Sequence, residues 1–501
     1  MPEFNAAITR ARPLVANLFT ASLLASALAA CAVGPDHVRP ILPVPDSFGA
    51  AVDATAGADA AVDVRPTPDA NAPFWDDFDD PVLSRLVDEA LVANHDLRIA
   101  LANYDRANAL LRGSKFDRWP TITASGTAAE SRSSADQMPG VPRGDRDVES
   151  YEAGVNASWE LDVFGRVRRS VESSRAEAAA TAADLQALQV AIVGEVVGGY
   201  VELRGLQARL QVARENADNQ RDTLRLVDAR LQAGRGTEFD TARARAQLEG
   251  TLARVPALEA AEAVSMHRLA VLTGRTPETL LSELSKAQPL PALPERFDPG
   301  TPGELLRRRP DVLAAEQRLH AATARIGVAT ADLFPRFTLA GLIGSQAIDT
   351  SALFERASET RLVALGIDWS FLDIGRVRAR IAAADATAEG ELARYQQTVL
   401  RALEDTSNAL VRYARAREED AHLARAAEDS ARAAGLARVR YEAGATDLFE
   451  VLDAERSQLQ AQDALADART RSVNGAVGVY RALAGGWPSR QPLREGIAGR
   501  D

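Results

Sequence analysis

The chain lacks most of the side-chain chemistry on which enzymes and metal proteins rely. Its 501 residues include a single cysteine, so no disulfide can form within the chain. The five histidines show no ligand spacing with cysteines or carboxylates: His37, His95, His267, His320 and His422. The HExxH, P-loop and GxSxG motifs are also missing. The sequence therefore nominates no catalytic residue, no metal site and no cofactor, and it favours a protein that is not an enzyme.

An excess of positive charge and long apolar runs are lacking as well. The formal net charge is −12 at pH 7, and the many arginines are interleaved with aspartates and glutamates, as on solvated helix faces. This composition disfavours a nucleic-acid partner. Beyond the first 30 residues we expect no apolar run long enough to cross a bilayer as a helix. A chain of this kind that crosses a membrane must therefore use strands in a closed barrel.

Proline is absent from two long stretches, 143–255 and 336–487. Because proline interrupts helices, these stretches can hold continuous helices of roughly 70 residues, or about 100 Å. From Leu203 to Leu231 apolar positions recur alternately three and four residues apart, which predicts a coiled-coil seam. We predict helices at about 81–117, 164–233, 237–274, 374–443 and 446–485.

The chain also contains an internal tandem repeat with an offset of about 210 residues. The segment WELDVFGRVR, which begins at Trp159, returns as WSFLDIGRVR, which begins at Trp369. Each copy reads as strand, loop, strand, long helix, turn and second helix, a pattern typical of structures built by repetition. The predicted parts are an extended segment (31–73), a first repeat (74–285), a proline-rich connector (286–303), a second repeat (304–487) and a tail (488–501).

Four short segments alternate between apolar residues and small or polar ones, which predicts strands with one apolar face. Their length of roughly ten residues suits tilted membrane strands, although a soluble sheet packed on one face gives the same alternation. Trp159 and Trp369 stand near the ends of two of them at matching repeat positions, which predicts an aromatic girdle at the membrane boundary; a pair of core tryptophans is an equal alternative. The strands are predicted at about 120–129, 151–161, 337–344 and 361–371.

Two glycine-containing turns are predicted to return the long helices as hairpins. Gly234, Gly236 and Thr237 form the first turn, and Gly444 and Thr446 form the second. Glycine permits the left-handed conformation that ends a helix, and threonine can cap the helix that follows. A helical hairpin needs such residues whatever its function.

The N-terminus is typical of an exported protein. Arg10 and Arg12 precede an uncharged apolar stretch, so residues 1–30 are predicted to be a signal peptide. The stretch ends in Leu-Ala-Ala-Cys, which resembles a lipobox and makes Cys31 the predicted site of a covalent lipid. An ordinary signal peptide followed by an unrelated cysteine is the alternative. Ala32 in place of an aspartate favours delivery to the outer membrane.

These features together carry a family resemblance, for which the most specific segments are Arg308-Arg309-Pro310-Asp311-Val312, the repeated DVFGR and LDIGR, and the lipobox. The chain resembles the outer-membrane efflux lipoproteins of tripartite resistance-nodulation-division (RND) pumps, the NodT-type branch of the TolC-like outer-membrane factors. The resemblance implies an α+β membrane protein that forms a homotrimer. Its twelve-stranded β-barrel, with four strands from each subunit, continues into a long periplasmic α-helical barrel. Four strands are too few to close a barrel, so subunits would have to pool them.

The resemblance further implies a passive, lipid-anchored duct in the outer membrane of a Gram-negative bacterium, with a large periplasmic part. Its implied partners are its own copies, outer-membrane lipid, a periplasmic adaptor and an inner-membrane RND-type pump that delivers drugs or other toxic compounds. The implied periplasmic gate, with a charged ring, comprises Arg440, Tyr441, Asp447 and Asp453. The implied adaptor-docking turns comprise Gly234, Gly236, Thr237, Gly444 and Thr446.

Other functions fit parts of the same pattern. A channel for type I protein secretion is the nearest alternative, and the lipobox and the Arg308–Asp311 segment favour efflux over it. A structural coiled-coil periplasmic lipoprotein, such as an adaptor, would have one helical hairpin rather than two with paired strands. A lipoprotein hydrolase of the cell wall would need a catalytic constellation, and the sequence offers none.

Overall fold

The computed structural model describes residues 32–48, 73–292 and 301–483, together with residues 492 and 494. The predicted signal peptide, Cys31 and most of the predicted tail lie outside the described residues, as do parts of the extended segment and of the connector. The chain divides into two compact units. The strand unit contains residues up to 41, 104–181 and 314–395, and the hairpin unit contains 42–103, 182–313 and the rest from 396. Each unit therefore draws on both sequence repeats.

The strand unit contains one four-stranded antiparallel sheet in the order β1-β2-β3-β4. In the register, Ala157 of β2 lies opposite Ile122 and Gly341, and Leu339 of β3 lies opposite Trp159 and Leu365. Within the described residues β1 and β4 each pair on one side only, which leaves two edges open. The strands are β1 (Thr121–Arg132), β2 (Asp147–Leu161), β3 (Arg336–Ala347) and β4 (Glu359–Asp368).

The two sequence repeats make the same contact at one end of the sheet. The indole Nε1 of Trp159 donates to the carbonyl oxygen of Arg118 at 3.1 Å, and that of Trp369 donates to the carbonyl oxygen of Leu333 at 3.0 Å. Both carbonyl groups belong to the residue two positions before a proline that leads into a strand. Trp369 lies just beyond β4, which ends at Asp368 rather than at residue 371 as predicted.

The described residues form ten α-helices and several short 3₁₀ turns. Two of the helices are long, with 67 residues in α3 and 69 in α9. The helices are α1 (Pro81–Ala93), α2 (His95–Phe116), α3 (Arg166–Gln232), α4 (Glu238–Leu252), α5 (Val255–Leu272), α6 (Leu281–Leu284), α7 (Pro302–Arg308), α8 (Pro310–Ala331), α9 (Ile374–Glu442) and α10 (Leu448–Leu483).

Two helices that were predicted to be continuous are broken. The predicted helix 81–117 ends and restarts at Asn94, whose Oδ1 accepts from the backbone nitrogens of Asp96 and Leu97. The buried Asn94 side chain also donates to the carbonyl oxygen of Leu272 at 2.9 Å, so tertiary packing holds the break. The predicted helix 237–274 breaks before Pro256, which lies in the first turn of α5, where its missing N–H costs nothing.

Helix α3 contradicts one expectation from the sequence. Within its 67 residues lies an 18-residue window whose mean hydropathy of 1.3 would allow it to cross a membrane by length and composition alone. More than half of that window, 56%, is buried inside the structure. A buried core helix of a soluble protein passes the same test, so this window is weak evidence for a transmembrane helix.

Candidate functional site

The turn between α3 and α4 has the glycine and the threonine cap that the sequence predicts. Gly234 has a φ of +71°, and the N–H of Arg235 donates to the carbonyl oxygen of Arg230 at 2.8 Å. Thr237 then caps α4 through a capping box, because its hydroxyl accepts from the N–H of Asp240 and the Asp240 carboxylate accepts from the N–H of Thr237. The turn thus ends one helix and starts the next within five residues.

The second turn has the same backbone but a different cap from the predicted one. Gly444 has a φ of +76°, and the N–H of Ala445 donates to the carbonyl oxygen of Arg440 at 2.8 Å. The cap of α10 is Asp447, whose Oδ1 accepts from the N–H of Glu450 at 3.2 Å. The hydroxyl of Thr446 is buried and has no hydrogen-bond partner among the described residues. Thr446 was wrongly predicted as a cap because the capping position lies three residues after the glycine in both turns.

Tyr441 connects the two helical hairpins, of which the first is formed by α3 and α4 and the second by α9 and α10. The guanidinium of Arg230, on α3, lies 4.0 Å from the centre of the Tyr441 ring, which is a cation–π contact. Nη2 of Arg230 also donates to the carbonyl oxygen of Tyr441 at 2.7 Å. Apolar side chains from both hairpins surround the ring. One well-packed cluster therefore holds together the turn ends of the two hairpins, which we call the tips. Its buried members are Val227, Ala244, Tyr441, Leu448, Val451 and Leu452.

The other predicted gate residues do not join that cluster. Arg440 reaches across its own hairpin to Glu450, with 3.9 Å between nitrogen and oxygen. Asp453 pairs with Arg456 on the same helix, and Asp447 serves as the helix cap. The structure therefore brings Tyr441 against the first hairpin and leaves Arg440, Asp447 and Asp453 on the surface of the second.

A buried carboxylate was missed in the sequence. Glu455 on α10 is only 6% exposed, and its carboxylate accepts from the Thr223 hydroxyl at 2.5 Å and from Gln247 Nε2 at 3.4 Å. Burial raises the pKa of Glu455, while the hydrogen bond from Thr223 and the charge of Arg438 oppose that shift. The sequence held a signal, because Glu455 follows Leu452 by three residues and precedes Leu459 by four, a spacing that marks a buried helix face.

An exposed aromatic patch lies beside the two turns. Phe239 on α4 is 66% exposed and Phe449 on α10 is 55% exposed. The guanidinium of Arg243 lies 5.5 Å from the first ring and 5.0 Å from the second. Exposed phenylalanines that flank an arginine are unusual on a solvated surface and typical of interaction sites. We call these three residues the tip patch.

The Arg308–Asp311 segment forms a structural clamp in the hairpin unit. Arg309 is 8% exposed and forms a bidentate pair with Asp311, with distances of 3.0 and 2.7 Å. Its remaining nitrogen donates to the carbonyl oxygens of Ala402 on α9 and Ala482 on α10. Arg308 is exposed, and Pro310 begins α8. The segment therefore fixes the junction between helices and contributes no reactive group.

No group of three or more histidine, cysteine, aspartate or glutamate side chains in the described parts of the chain could hold a metal ion.

The sheet of the strand unit has one exposed apolar face. Residues opposite each other in an antiparallel sheet share a face, so the register gathers most of the large apolar side chains on one side, while Leu342 and Leu362 lie on the other. On β4 of this face Val363, Leu365 and Ile367 are 82%, 60% and 64% exposed.

Comparison with known proteins agrees with these features. The outer membrane efflux protein family matches residues 86–275 and 301–485. Outer membrane protein OprJ of Pseudomonas aeruginosa is 33% identical over 95% of this chain and 97% of that protein. Cation efflux system protein CusC of Escherichia coli is 30% identical over 93% of this chain and 97% of that protein.

Comparison with solved structures supports the same family assignment. The outer-membrane channel OprN superposes on this chain with a TM-score of 0.83 at 42% identity, over 91% of this chain and 100% of that one. A CusC structure superposes with a TM-score of 0.79 at 27% identity, over 91% of this chain. The resemblance seen in the sequence is thereby confirmed, and with it the outer-membrane location and the assignment to channels rather than enzymes. The chain belongs to the outer membrane efflux protein family.

Proposed function

We propose that this chain is the passive outer-membrane exit duct of a tripartite efflux system. The observation that carries the proposal is the pairing of family membership with a four-stranded sheet that has an uncovered apolar face and two open edges. An apolar face of that kind is stable when lipid covers it, and open edges are stable when other strands pair with them. The energy for export is proposed to come from the inner-membrane pump, as the family resemblance implies.

The open edges support a homotrimer. β1 and β4 leave their outer hydrogen-bonding groups available, so β4 of one subunit can pair with β1 of the next. Three subunits would give twelve strands, enough for a closed barrel with a water-filled interior. In that barrel the face with Val363, Leu365 and Ile367 contacts lipid, and Trp159 and Trp369 lie at the membrane boundary nearest the helices.

The gate is proposed to lie where the two hairpins meet. Tyr441 and Arg230 hold the second hairpin against the first, and opening requires that this contact break. Arg440, Asp447 and Asp453 on the surface of the second hairpin could then form the charged ring of the constriction. The family resemblance supports these roles.

The tips are also the proposed docking surface for the periplasmic adaptor. Gly234 and Gly236 in the first turn and Gly444 in the second expose backbone that an adaptor can approach closely. The tip patch lies immediately beside both turns and offers two rings and one cation to a partner. The membrane anchor is proposed to be a lipid on Cys31, which precedes the first described residue.

Complementation tests the proposed function. A strain that lacks its efflux outer-membrane factor should regain resistance to toxic compounds when it expresses this chain together with a matching pump and adaptor. The double variant Phe239→Ser and Phe449→Ser should fail to complement while its amount in the outer membrane is unchanged, because docking rather than folding is lost. Full resistance with this variant would contradict the docking site, and no rescue with any pump would contradict the export function. Secretion of a protein by a type I exporter through this chain would favour the alternative channel.

A further inference from the structure

The first described residues of the chain, 32–41, pack against the rest of the strand unit through an ordered set of contacts, and we call this segment the strap. The N–H of Val33 donates to the carbonyl oxygen of Phe164 at 3.1 Å. Arg169 of α3 donates to the carbonyl oxygens of Val33 and Gly34 and pairs with Asp36 at 2.6 Å. Gly34 has a φ of +92° and lies so close to Gly327 that a Cβ atom would not fit. The strap is therefore docked at a defined position.

Two stacked histidines follow these contacts. The rings of His37 on the strap and His320 on α8 lie 4.5 Å apart at an angle of 14°. Nε2 of His320 forms a hydrogen bond of 2.9 Å with Oε1 of Glu172 on α3. Nε2 of His37 is buried and has no hydrogen-bond partner among the described residues. A proton on that nitrogen would thus have no acceptor in the docked strap.

The charges around His37 decide how it responds to acid. Burial lowers the pKa of His37, the neighbouring His320 lowers it further, and Glu172 acts in the opposite direction. Glu172 is already shared, because it also pairs with Arg169 at 2.8 Å. The charged and titratable groups here are Asp36 and Arg39 on the strap, Arg169 and Glu172 on α3, and Glu316 and His320 on α8.

A metal ion does not explain this pair. Nitrogen lone pairs lie in the plane of each ring, so two nearly parallel stacked rings direct them side by side rather than toward one point. The stack suits two rings of which at most one is charged, because Glu172 can balance one imidazolium and a second would meet the first at close range.

We propose that the stacked His37–His320 pair is an acid-sensitive latch, which holds the strap on the rest of the strand unit near neutral pH and releases it when His37 takes up a proton against the His320 ring. Because the pKa of His37 is lower in the docked strap than its ordinary value of 6.5, docking is at full strength above that value. Docking then weakens as the pH falls below 6.5, since the released strap binds the proton more readily.

Hydrogen exchange of the strap, measured by mass spectrometry on the full-length protein in detergent, tests the latch. Exchange of the peptide with residues 32–41, corrected for the intrinsic effect of pH, should rise severalfold between about pH 7.5 and about pH 5.5. The N–H of Val33 reports docking directly. His37→Gln should remove most of the pH dependence, because it removes the ring that takes up the proton. His320→Gln should reduce the pH dependence, because it removes the neighbouring ring that lowers the pKa of His37 while burial remains.

Matched controls separate the latch from a general effect of acid. His422→Gln removes an exposed histidine that contacts Arg425 on its own helix, and it should leave the pH response of the strap unchanged. A flat pH response in the wild type would overturn the proposal. An equal response in wild type, His37→Gln and His320→Gln would overturn it as well. The measurement does not depend on export, so failure of the latch and failure of the proposed function are distinguishable.

Discussion

A buried carboxylate at the junction of the two hairpins makes the stability of that junction depend on pH. Glu455 accepts hydrogen bonds from Thr223 and Gln247, but the two donors are neutral and the site is nearly closed to water. Two hydrogen bonds from neutral donors recover only part of the solvation that an ionised carboxylate loses on burial. The protonated form of Glu455 is therefore favoured in the folded tips more than in an unfolded chain.

Glu455→Gln should stabilise the tips near neutral pH by on the order of 1 kcal/mol. The sign follows from the raised pKa of Glu455, because the folded state binds the proton more tightly, so its stability falls as the pH rises from the unfolded value of about 4.5 toward the raised one. At about pH 4 the wild type and the variant should therefore differ least. The apparent unfolding temperature, followed by circular dichroism at about pH 4 and about pH 7.5, measures the difference.

Glu450→Gln is the matched control for this prediction. Glu450 lies on the same helix but is exposed, at 3.9 Å from Arg440, so its replacement should leave the pH dependence of unfolding as in the wild type. The same pH dependence in Glu455→Gln and the wild type would contradict the role of the buried carboxylate.

At the scale of elements, the sequence predicted regular structure well and tertiary effects poorly. The absence of proline allowed long helices, and the strand and glycine-turn patterns located the ends of α3 and α9 to within about two residues. The break at Asn94 could not be predicted, because its side chain is fixed by Leu272, which is distant in the sequence. Tyr441 was selected for its place beside a turn, but its partner Arg230 belongs to the other hairpin, and no local pattern links them.

The two residues before α10 should respond differently to substitution. Asp447→Ala removes the cap and should destabilise the helix start by about 1 kcal/mol. Thr446→Val removes a buried hydroxyl without a hydrogen-bond partner among the described residues, so it should be neutral or slightly stabilising. Hydrogen exchange of the first turn of α10 gives both values. Greater loss of protection in Thr446→Val than in Asp447→Ala would show that the threonine is the cap.

The contact between the hairpins predicts a change in conductance. Arg230→Ala removes the cation–π contact and the hydrogen bond to the Tyr441 carbonyl oxygen, which together contribute on the order of 1 kcal/mol in each subunit. The variant should raise single-channel conductance in planar bilayers and make cells leakier to large antibiotics. Tyr441→Phe should have a smaller effect, because the ring face and the carbonyl oxygen make the contacts, and both remain.

Arg225→Ala serves as the control for the gate. Arg225 lies on the same helix as Arg230, pairs only with Asp222 among the contacts described, and is 77% exposed at its side chain. Its replacement should leave the conductance unchanged. If Arg230→Ala folds correctly and conducts like the wild type, the constriction lies elsewhere, and Asp453→Ala then tests the surface of the second hairpin.

For the whole molecule, the decisive property is which face of the sheet contacts lipid. Val363 and Ala364 are neighbours on β4 whose side chains point to opposite faces. Val363 belongs to the exposed apolar face, and Ala364 lies opposite Ala340 on the other. In a trimeric barrel the first face is in the bilayer and the second lines water.

Val363→Arg should therefore destabilise the inserted protein by about 2–4 kcal/mol per subunit and lower the yield of membrane trimers, because an arginine would lie in lipid. Ala364→Arg should be tolerated, since its side chain would reach into an aqueous interior. Light scattering of the solubilised protein and the fraction that resists heating as a trimer give the comparison. Equal tolerance of both arginines, or a folded monomer that inserts into vesicles, would contradict a barrel of pooled strands. If the wild type and Ala364→Arg form trimers and Val363→Arg does not, the result would establish both the lipid face and the subunit number, because four strands cannot close a barrel alone.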